Sequence, residues 1–399
     1  MPNLSGRMSQ LGTETAFEVL ARATALQRQG RSIVNLGIGQ PDFPTPAHIV
    51  EAGRKALADG HHGYTPANGI LPLREAVAAD LYRRHGVGIS PERVLVVPGG
   101  KVTMFFAILM FGEPGAEIIH PNPGFPIYES AIRFSGAMPV PMRLHERKGF
   151  SFDAEEVLGL ITPRTRLLII NSPGNPTGGV VPKAELDRLV AGLARHPQVA
   201  VLSDEIYGEM VYEGAHTSLT TYPELEGRLI LLDGWSKTYA MTGWRLGYGV
   251  WPAALFPHAE RLAINCNSCV NAAAQHAGIM ALTGPREPSQ RMMAAFAERR
   301  AYIVPALQGL PGFRCATPGG AFYAFPNISN TGFDSRALQS RLLEEAGVAT
   351  VSGTSFGAFG DGHLRFSYAA SLEALQEAVG RIGDWLERQQ RHEAARIEA

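Results

Sequence analysis

The chain has 399 residues, of which 45% are hydrophobic and 18% are charged, and its formal net charge is −1. This length and composition are typical of a globular protein with two lobes, and the near-neutral charge argues against a general affinity for nucleic acid or for an anionic membrane. No apolar stretch is long enough to span a bilayer, and the polar N-terminus lacks a signal-peptide pattern, so we expect a cytoplasmic protein.

Helical patterns come first along the chain, at residues 14–29, 47–59 and 71–85. From residue 94 onward, apolar runs alternate with helical patterns. This alternation predicts an α/β fold in which helices cover both faces of a doubly wound, mostly parallel seven-stranded sheet. The predicted strands are Val94–Val97, Glu117–His120, Pro139–Met142, Leu167–Asn171, Val199–Ser203, Leu229–Leu232 and Leu246–Val250.

The pattern changes after residue 285. A long helix is predicted over residues 286–309, followed by short strands and by helices at 335–346 and 371–391, with a frayed end at residues 391–399. We therefore predict a large domain over residues 46–285 and a smaller α+β domain formed by residues 1–45 and 286–399.

The cysteines and histidines do not indicate a metal site. Cys266 and Cys269 have the spacing of a redox or zinc motif, but zinc needs four ligands and the chain has no second pair. We interpret Cys266, Cys269 and Cys315 as buried structural thiols and predict no bound metal.

Lys237 is the most informative residue of the chain. It follows the apolar run Leu229–Leu232, and Arg245 comes eight residues later, which on a helix would be two turns further on. The chain has only five lysines among its 36 basic residues, which hints at a need for an amine that can lose its proton. An amine at the end of a buried strand is suited to a Schiff base with a carbonyl cofactor, and the arginine to that cofactor's phosphate. The simpler alternative is a surface lysine.

Polar groups also follow three other predicted strands. Gly99 and Gly100 open a helix, where backbone N–H groups can approach an anion. Asn175 lies in a loop rich in proline and glycine, and Asp204 ends a strand three residues before Tyr207. Each has a simpler alternative, namely a plain turn or, for Asp204, a helix N-cap. Because ligands bind at the carboxyl ends of strands in open α/β sheets, the segments together predict one site.

The ordered motifs carry a family resemblance. Asn175-Pro176-Thr177-Gly178, Asp204-Glu205-Ile206-Tyr207 and Ser236-Lys237 to Gly243-Trp244-Arg245 resemble the class I/II aminotransferases, which are pyridoxal-phosphate enzymes of fold type I, and in particular the bacterial aspartate aminotransferases. The resemblance extends from Asn35–Phe43 to Leu364–Ala369. It implies a pyridoxal 5'-phosphate cofactor, an amino acid and a 2-oxo acid as substrates, and a homodimer with a shared active site.

The resemblance also implies roles for individual residues. Lys237 would form the Schiff base and then move the proton at the substrate Cα, with Asp204 and Tyr207 as further catalytic residues. Asp204 would pair with the pyridine nitrogen, Asn175 and Tyr207 would donate to the phenolic oxygen, and Phe125 would stack on the ring. Gly99, Gly100, Ser236 and Arg245 would hold the phosphate together with Tyr64 of the neighbouring subunit, while Gly39, Asn175 and Arg365 would bind the substrate.

The sequence indicates less directly which residue recognises the substrate side chain. Lys101 follows the glycine pair, beside the expected cofactor, and resembles a lysine that faces the distal carboxylate in aspartate aminotransferases; this favours aspartate and glutamate as donors. The segment Gly12–Ala16, which contains Glu14, stands where those relatives have a Pro-Ser-x-Thr pattern. Glu14 could repel an acidic substrate, pair with Lys101, or bind a cationic or hydroxylated substrate; its charge could also simply favour a helix N-terminus. Neutral, aromatic or basic donors therefore stay open.

Three rival interpretations remain. The same cofactor and fold could serve a β-lyase, a decarboxylase or an oxidase. A ligand-sensing half of a transcription regulator is disfavoured, because the enzyme pattern begins within the first few dozen residues and we expect no room for a DNA-binding module. An inert relative is disfavoured because Lys237, Asp204 and Arg365 are all intact.

Overall fold

The computed structural model of the protein describes residues 3–398, with side chains as far as Arg391. Its strands are β1 Val34–Asn35, β2 Val94–Val97, β3 Glu117–Asn122, β4 Met138–Arg143, β5 Thr165–Asn171, β6 Ala200–Asp204, β7 Leu229–Gly234, β8 Gly247–Val250, β9 Tyr323–Ala324, β10 Val348–Ala349, β11 Val351–Ser352 and β12 Leu364–Ser367.

The helices alternate with these strands. They are α1 Thr15–Arg28, α2 Ala47–Ala58, α3 Leu71–His85, α4 Lys101–Phe111, α5 Pro126–Ser135, α6 Ala154–Gly159, α7 Lys183–Leu193, α8 Phe256–Asn267, α9 Ala272–Thr283, α10 Glu287–Gln308, α11 Ser335–Arg341 and α12 Leu372–Glu398. A π-helical turn, Leu342–Ala346, extends α11.

The largest sheet has seven strands in the order β2-β8-β7-β6-β5-β3-β4, and β8 alone runs antiparallel to its neighbours. Residues of β2, β3, β6 and β7 are buried throughout, because helices cover both faces of the sheet. The edge strand β4 is largely exposed. The predicted doubly wound α/β fold is confirmed, and all seven predicted strands are present within two residues of the predicted limits.

A second group of strands lies outside the large sheet. β1 pairs in parallel with β10, and β11-β12-β9 form a small antiparallel sheet. All of these strands except β11 share an aromatic-rich core with α10, α11 and α12, in which Phe296 stacks on Phe322 at 5.2 Å between ring centroids. We propose residues 46–285 as the large domain and residues 1–45 plus 286–399 as the small one, the outermost residues 1, 2 and 399 lying outside the described chain.

Three expectations from the sequence are wrong in detail. The chain is helical as far as Glu398 rather than frayed from Arg391, since its Glu, Ala and Arg residues favour a helix. The segment between Lys237 and Arg245 is a series of turns ending in a 3-10 helix, with Arg245 in the left-handed region. Cys315 is buried, but Cys266 is exposed and Cys269 is partly exposed, because both lie at the end of α8.

None of the helices within residues 3–398 is both long enough and apolar enough to cross a membrane. The same residues contain no cluster of three His, Cys, Asp or Glu side chains that could hold a metal ion.

Candidate active site

A cavity of about 640 Å³ lies where the loops after β2, β5, β6 and β7 converge, at the edge of the sheet that the topology predicts for a ligand. It brings together residues that are far apart in the sequence. The predicted site residues that line it are Gly39, Gly100, Lys101, Phe125, Asn175, Asp204, Tyr207, Ser236, Lys237, Arg245 and Arg365.

The amine of Lys237 points into this cavity from the loop after β7. Its Nζ donates a 2.6 Å hydrogen bond to the backbone carbonyl of Gly39. Burial lowers the pKa of Lys237 to about 8, and the nearby Arg365 guanidinium acts in the same direction. An amine with this pKa is partly neutral near pH 7 and can act as a nucleophile or as a base.

Asp204 lies at the end of β6, and its carboxylate is buried. The Tyr128 hydroxyl donates to Oδ2 at 2.6 Å and the Ile206 backbone N–H to Oδ1 at 3.3 Å. Burial nevertheless raises the pKa of Asp204 to about 6. A protonated nitrogen bound against this carboxylate would favour its ionised form, because it supplies the positive charge that the buried site lacks.

Two tyrosines and two asparagines form the wall between Asp204 and Arg365. The Tyr207 and Tyr323 hydroxyls share a 2.8 Å hydrogen bond. Asn171 accepts from the backbone N–H of Asn175 at 3.0 Å and donates to the backbone carbonyl of Asp204 at 3.0 Å. Asn171 therefore links the loop after β5 to the end of β6.

Arg365, on β12, is buried at the side of the cavity. Its Nη1 donates to Asn175 Oδ1 at 2.9 Å and its Nη2 to the Gly37 carbonyl, while its guanidinium lies 4.7 Å from the ring centroid of Tyr323. Its Nε is buried without a hydrogen-bond partner among the described residues. A buried, fixed guanidinium with an unpaired N–H is suited to a carboxylate ligand.

The glycines at the start of α4 leave room for an anion. Gly99 has a φ of +90°, and a Cβ atom there would lie 2.1 Å from Nη2 of Arg245, so a larger residue would collide with that side chain. Gly100 directly precedes the 11-residue helix α4. Backbone N–H groups, the helix N-terminus, Ser236 and Arg245 together form a cradle that fits a phosphate group.

The cavity wall also carries an ion pair. Lys101 Nζ donates to the carboxylate of Glu14, and it also lies 5.2 Å from the ring centroid of Phe125. Pairing with Lys101 is one of the possibilities that the sequence left open for Glu14, and this pair is present in the structure.

Comparison with known proteins shows the family of the chain. Residues 31–382 match the family described as "Aminotransferase class I and II".

The chain belongs to the class I and II aminotransferases.

Full-length relatives support this assignment. The aspartate aminotransferase of Geobacillus stearothermophilus is 37% identical over 391 residues, covering 96% of this chain and 99% of that protein. The asparagine–oxo-acid transaminase of Streptococcus mutans is 35% identical over 396 residues, covering 97% and 100%. The solved structure of Thermus thermophilus aspartate aminotransferase with maleate is similar with a TM-score of 0.92 and 37% identity, covering 96% and 100% of the two chains.

Two predicted residues of this aminotransferase do not line the cavity. Gly99 lies just behind it, against Arg245. Tyr64 lies outside it, with 93% of its surface exposed in the single chain. This exposure is compatible with the predicted reach of Tyr64 into a neighbouring subunit, which stays a prediction.

Sequence reasoning missed Tyr128, Tyr323 and Asn171 as parts of the aminotransferase site. Tyr128 lies three residues after Phe125 at the start of α5, a spacing that brings side chains to one face of a helix, and this signal could have found it. Tyr323 had no comparable signal, because it reaches the cavity from the small antiparallel sheet. For Asn171 the sequence predicts only the end of a strand.

Proposed function

We propose that this aminotransferase binds pyridoxal 5'-phosphate and transfers an amino group between an L-amino acid and a 2-oxo acid, with aspartate and glutamate as favoured donors. The observation that carries the proposal is the convergence of Lys237, Asp204 and Arg365 on one cavity. An amine, a buried carboxylate and a buried guanidinium are the groups required to hold an aldehyde, a pyridine nitrogen and a substrate carboxylate.

The residues around the cavity fit the cofactor group by group. Gly99, Gly100, Ser236 and Arg245 would bind its phosphate, and Asp204 would pair with its ring nitrogen. When bound, the cofactor supplies the aldehyde that accepts the amino group and a ring that withdraws electrons from the substrate Cα.

The ring would be held from two further sides. Phe125 would lie against one face, and the Asn175 amide and the Tyr207 hydroxyl would donate to the phenolic oxygen. The Asn175 carbonyl oxygen already accepts from Arg365, which leaves its NH₂ group as the donor.

Lys237 would carry out the proton transfers of the reaction. Its amine would hold the cofactor first. Once released by the incoming amino group, it would take the proton from the substrate Cα and deliver it to C4′ of the cofactor. The lowered pKa of about 8 supports this role, because the neutral amine is accessible near pH 7.

Arg365 and Gly39 would orient the substrate. The guanidinium would bind the α-carboxylate and thereby fix the direction of the Cα–H bond. At Gly39 a Cβ atom would lie 2.3 Å from the Tyr323 hydroxyl, so glycine is required for the chain to pass this close to the cavity.

Lys101 would bind the distal group of the substrate side chain. It lines the cavity together with Arg365, so a dicarboxylic substrate can present one carboxylate to each cation. A homodimer completed by Tyr64 and a cytoplasmic location stay predictions.

The test is a half-reaction on the purified protein loaded with pyridoxal phosphate, to which single L-amino acids are added without an acceptor. Formation of pyridoxamine phosphate with aspartate or glutamate supports the proposal. Release of ammonia, carbon dioxide or hydrogen peroxide in its place would indicate a lyase, a decarboxylase or an oxidase.

A matched pair of variants tests the central residue. Lys237→Ala is expected to lose the visible absorbance of the lysine-bound cofactor together with turnover, whereas Lys55→Ala, which removes an exposed lysine paired with Asp59, should retain both. Retention of both by Lys237→Ala would contradict the assignment.

A further inference from the structure

An acidic side chain is paired with Lys101, the cation that would bind the distal group of the substrate. Glu14, the residue before α1, lines the cavity and accepts a hydrogen bond from Lys101 Nζ. The Glu14 side chain is 17% exposed and the Lys101 side chain is 44% exposed, so the pair lies in the cavity wall with its lysine open to solvent. Lys101 is therefore already paired with a carboxylate of the protein before a ligand binds.

The structure argues against a simple helix-capping role for Glu14. Its side chain makes no hydrogen bond to the first N–H groups of α1 within the described residues, although its position is that of the N-cap. The carboxylate is directed instead to Lys101, 87 residues away in the sequence. A charge that served only the helix dipole would need no such partner.

The charged side chains of the cavity limit which carboxylate can pair with Lys101. Among the described lining residues, Glu14 and Asp204 are the acids and Lys101, Lys237, Arg245 and Arg365 are the bases. Asp204 already accepts from Tyr128 and from Ile206. Glu14 is thus the lining carboxylate that stands where the distal carboxylate of a substrate would bind.

We propose that Glu14 is a specificity-determining residue, an internal carboxylate that competes with the distal carboxylate of the substrate for Lys101. This inference rests on the proposed function. A donor with a neutral side chain enters while the Glu14–Lys101 pair stays intact and packs against Phe17, Met104 and Phe125 of the same cavity. A dicarboxylic substrate must displace Glu14 from Lys101.

The displacement has a physical cost. Lys101 can neutralise one carboxylate, and a second one brought beside it leaves a negative charge without a partner in a partly buried site. The wild-type site consequently accepts neutral donors as well as acidic ones, and it binds acidic ones less tightly than Lys101 alone would allow.

The location of Glu14 makes its displacement feasible. Residues 3–13 are all exposed, and Glu14 itself is only partly buried. This stretch is tied to α5 through the Gly12 backbone N–H, which donates to the Ser130 hydroxyl at 2.9 Å. The carboxylate can therefore leave Lys101 without disturbing a packed core.

The experiment compares two ligands that cannot react. Succinate carries two carboxylates and butyrate carries one, at the same chain length. Binding of each to the pyridoxal-phosphate-loaded protein is measured by calorimetry for wild type and for Glu14→Gln, which keeps the shape of the side chain and removes its charge. Glu18→Gln is the control, because Glu18 is an exposed acid on the same helix that accepts from Thr13.

We expect Glu14→Gln to tighten succinate binding about twofold to fivefold, which is what loss of a competing, partly exposed ion pair would produce. Butyrate binding should be unchanged, and Glu18→Gln should match wild type for both ligands. In Glu14→Gln/Lys101→Ala the gain for succinate should disappear. Unchanged succinate binding in Glu14→Gln, no measurable succinate binding in any variant, or an equal gain for butyrate would overturn the inference.

A second measurement separates this inference from the proposed function. L-Aspartate and the nearly isosteric L-asparagine are compared in the half-reaction, and Glu14→Gln should shift the ratio of their rates toward aspartate. If both donors react and the ratio does not change, the role of Glu14 is wrong while the aminotransferase activity stands. If no donor reacts, the proposed function fails, and the succinate measurement still decides whether Glu14 competes for Lys101.

Discussion

The Tyr128 hydroxyl donates a 2.6 Å hydrogen bond to Asp204 Oδ2, and both side chains are buried. The carboxylate that would face the cofactor nitrogen is thus held in place by a phenol from α5. Without that donor, the burial that already raises the pKa of Asp204 to about 6 would be less well offset.

Tyr128→Phe should therefore weaken cofactor binding and slow the half-reaction. Loss of a hydrogen bond to a charged group costs about 1.5–3 kcal/mol, which corresponds to roughly tenfold to a hundredfold. Affinity is measured by fluorescence titration of the cofactor-free protein, and Tyr82→Phe serves as the control because Tyr82 is 63% exposed. Equal affinities of Tyr128→Phe and wild type would contradict this role of the phenol.

The pKa of Lys237 predicts how cofactor uptake depends on pH. Burial lowers this pKa to about 8 from an ordinary value of 10.5, and only the neutral amine attacks an aldehyde. The uptake rate of the cofactor-free protein should rise about tenfold per pH unit below pH 8 and level off above about pH 9. Stopped-flow absorbance measures this rate, and a rise that continues past pH 10 would mean that the amine is unperturbed.

Arg365→Lys should impair substrate binding more than cofactor binding. The variant keeps a positive charge but loses the planar fork, whose Nη1 and Nη2 are already engaged by Asn175 and by the Gly37 carbonyl. We expect the KM for the amino acid to rise about tenfold to a hundredfold, on the scale of a lost charged hydrogen bond. Arg54→Lys, at an exposed position, is the control. An unchanged KM in Arg365→Lys would contradict the predicted contact.

A buried ion-pair network supports the loop that carries Lys237. Arg84 donates to Asp80 and to Asp233, each at 2.8 Å, and all three side chains are less than 10% exposed. Asp233 belongs to β7, four residues before Lys237.

Arg84→Met should lower the free energy of unfolding by about 3–5 kcal/mol, because it leaves the buried carboxylate of Asp233 without its cation, while Asp80 keeps its ion pair with Arg83. The midpoint of urea unfolding measures this loss. Arg54→Met removes an exposed arginine that pairs with Glu51 and should keep the unfolding midpoint of wild type. Similar midpoints for the two variants would mean that the network contributes little.

Much of the fold was predictable because most strands of the large sheet are buried on both faces. Their residues form continuous apolar runs, so each strand was located within two residues of its observed limits. The reversed direction of β8 had no such signal, since an apolar run is the same for a parallel and an antiparallel strand.

The candidate site was predictable where a loop motif marks a strand end, as at Asn175, Asp204 and Lys237. It was not predictable where a side chain arrives from elsewhere in the chain. Tyr128 lies 76 residues from Asp204, and Tyr323 lies 116 residues from Tyr207, yet each pair is hydrogen-bonded. Local patterns cannot indicate such partners, because packing of distant elements chooses them.

The same distinction separates the chemistry of this aminotransferase from its selectivity. The residue types at the strand ends indicate which chemistry the chain can perform, because the chemical nature of an amine, a carboxylate or a guanidinium is set by the residue type itself. Whether Lys101 meets a substrate as a free cation or as half of an ion pair depends on where α1 begins relative to the sheet. That relation arises only when the chain folds, since it joins residues 14 and 101 across the cavity.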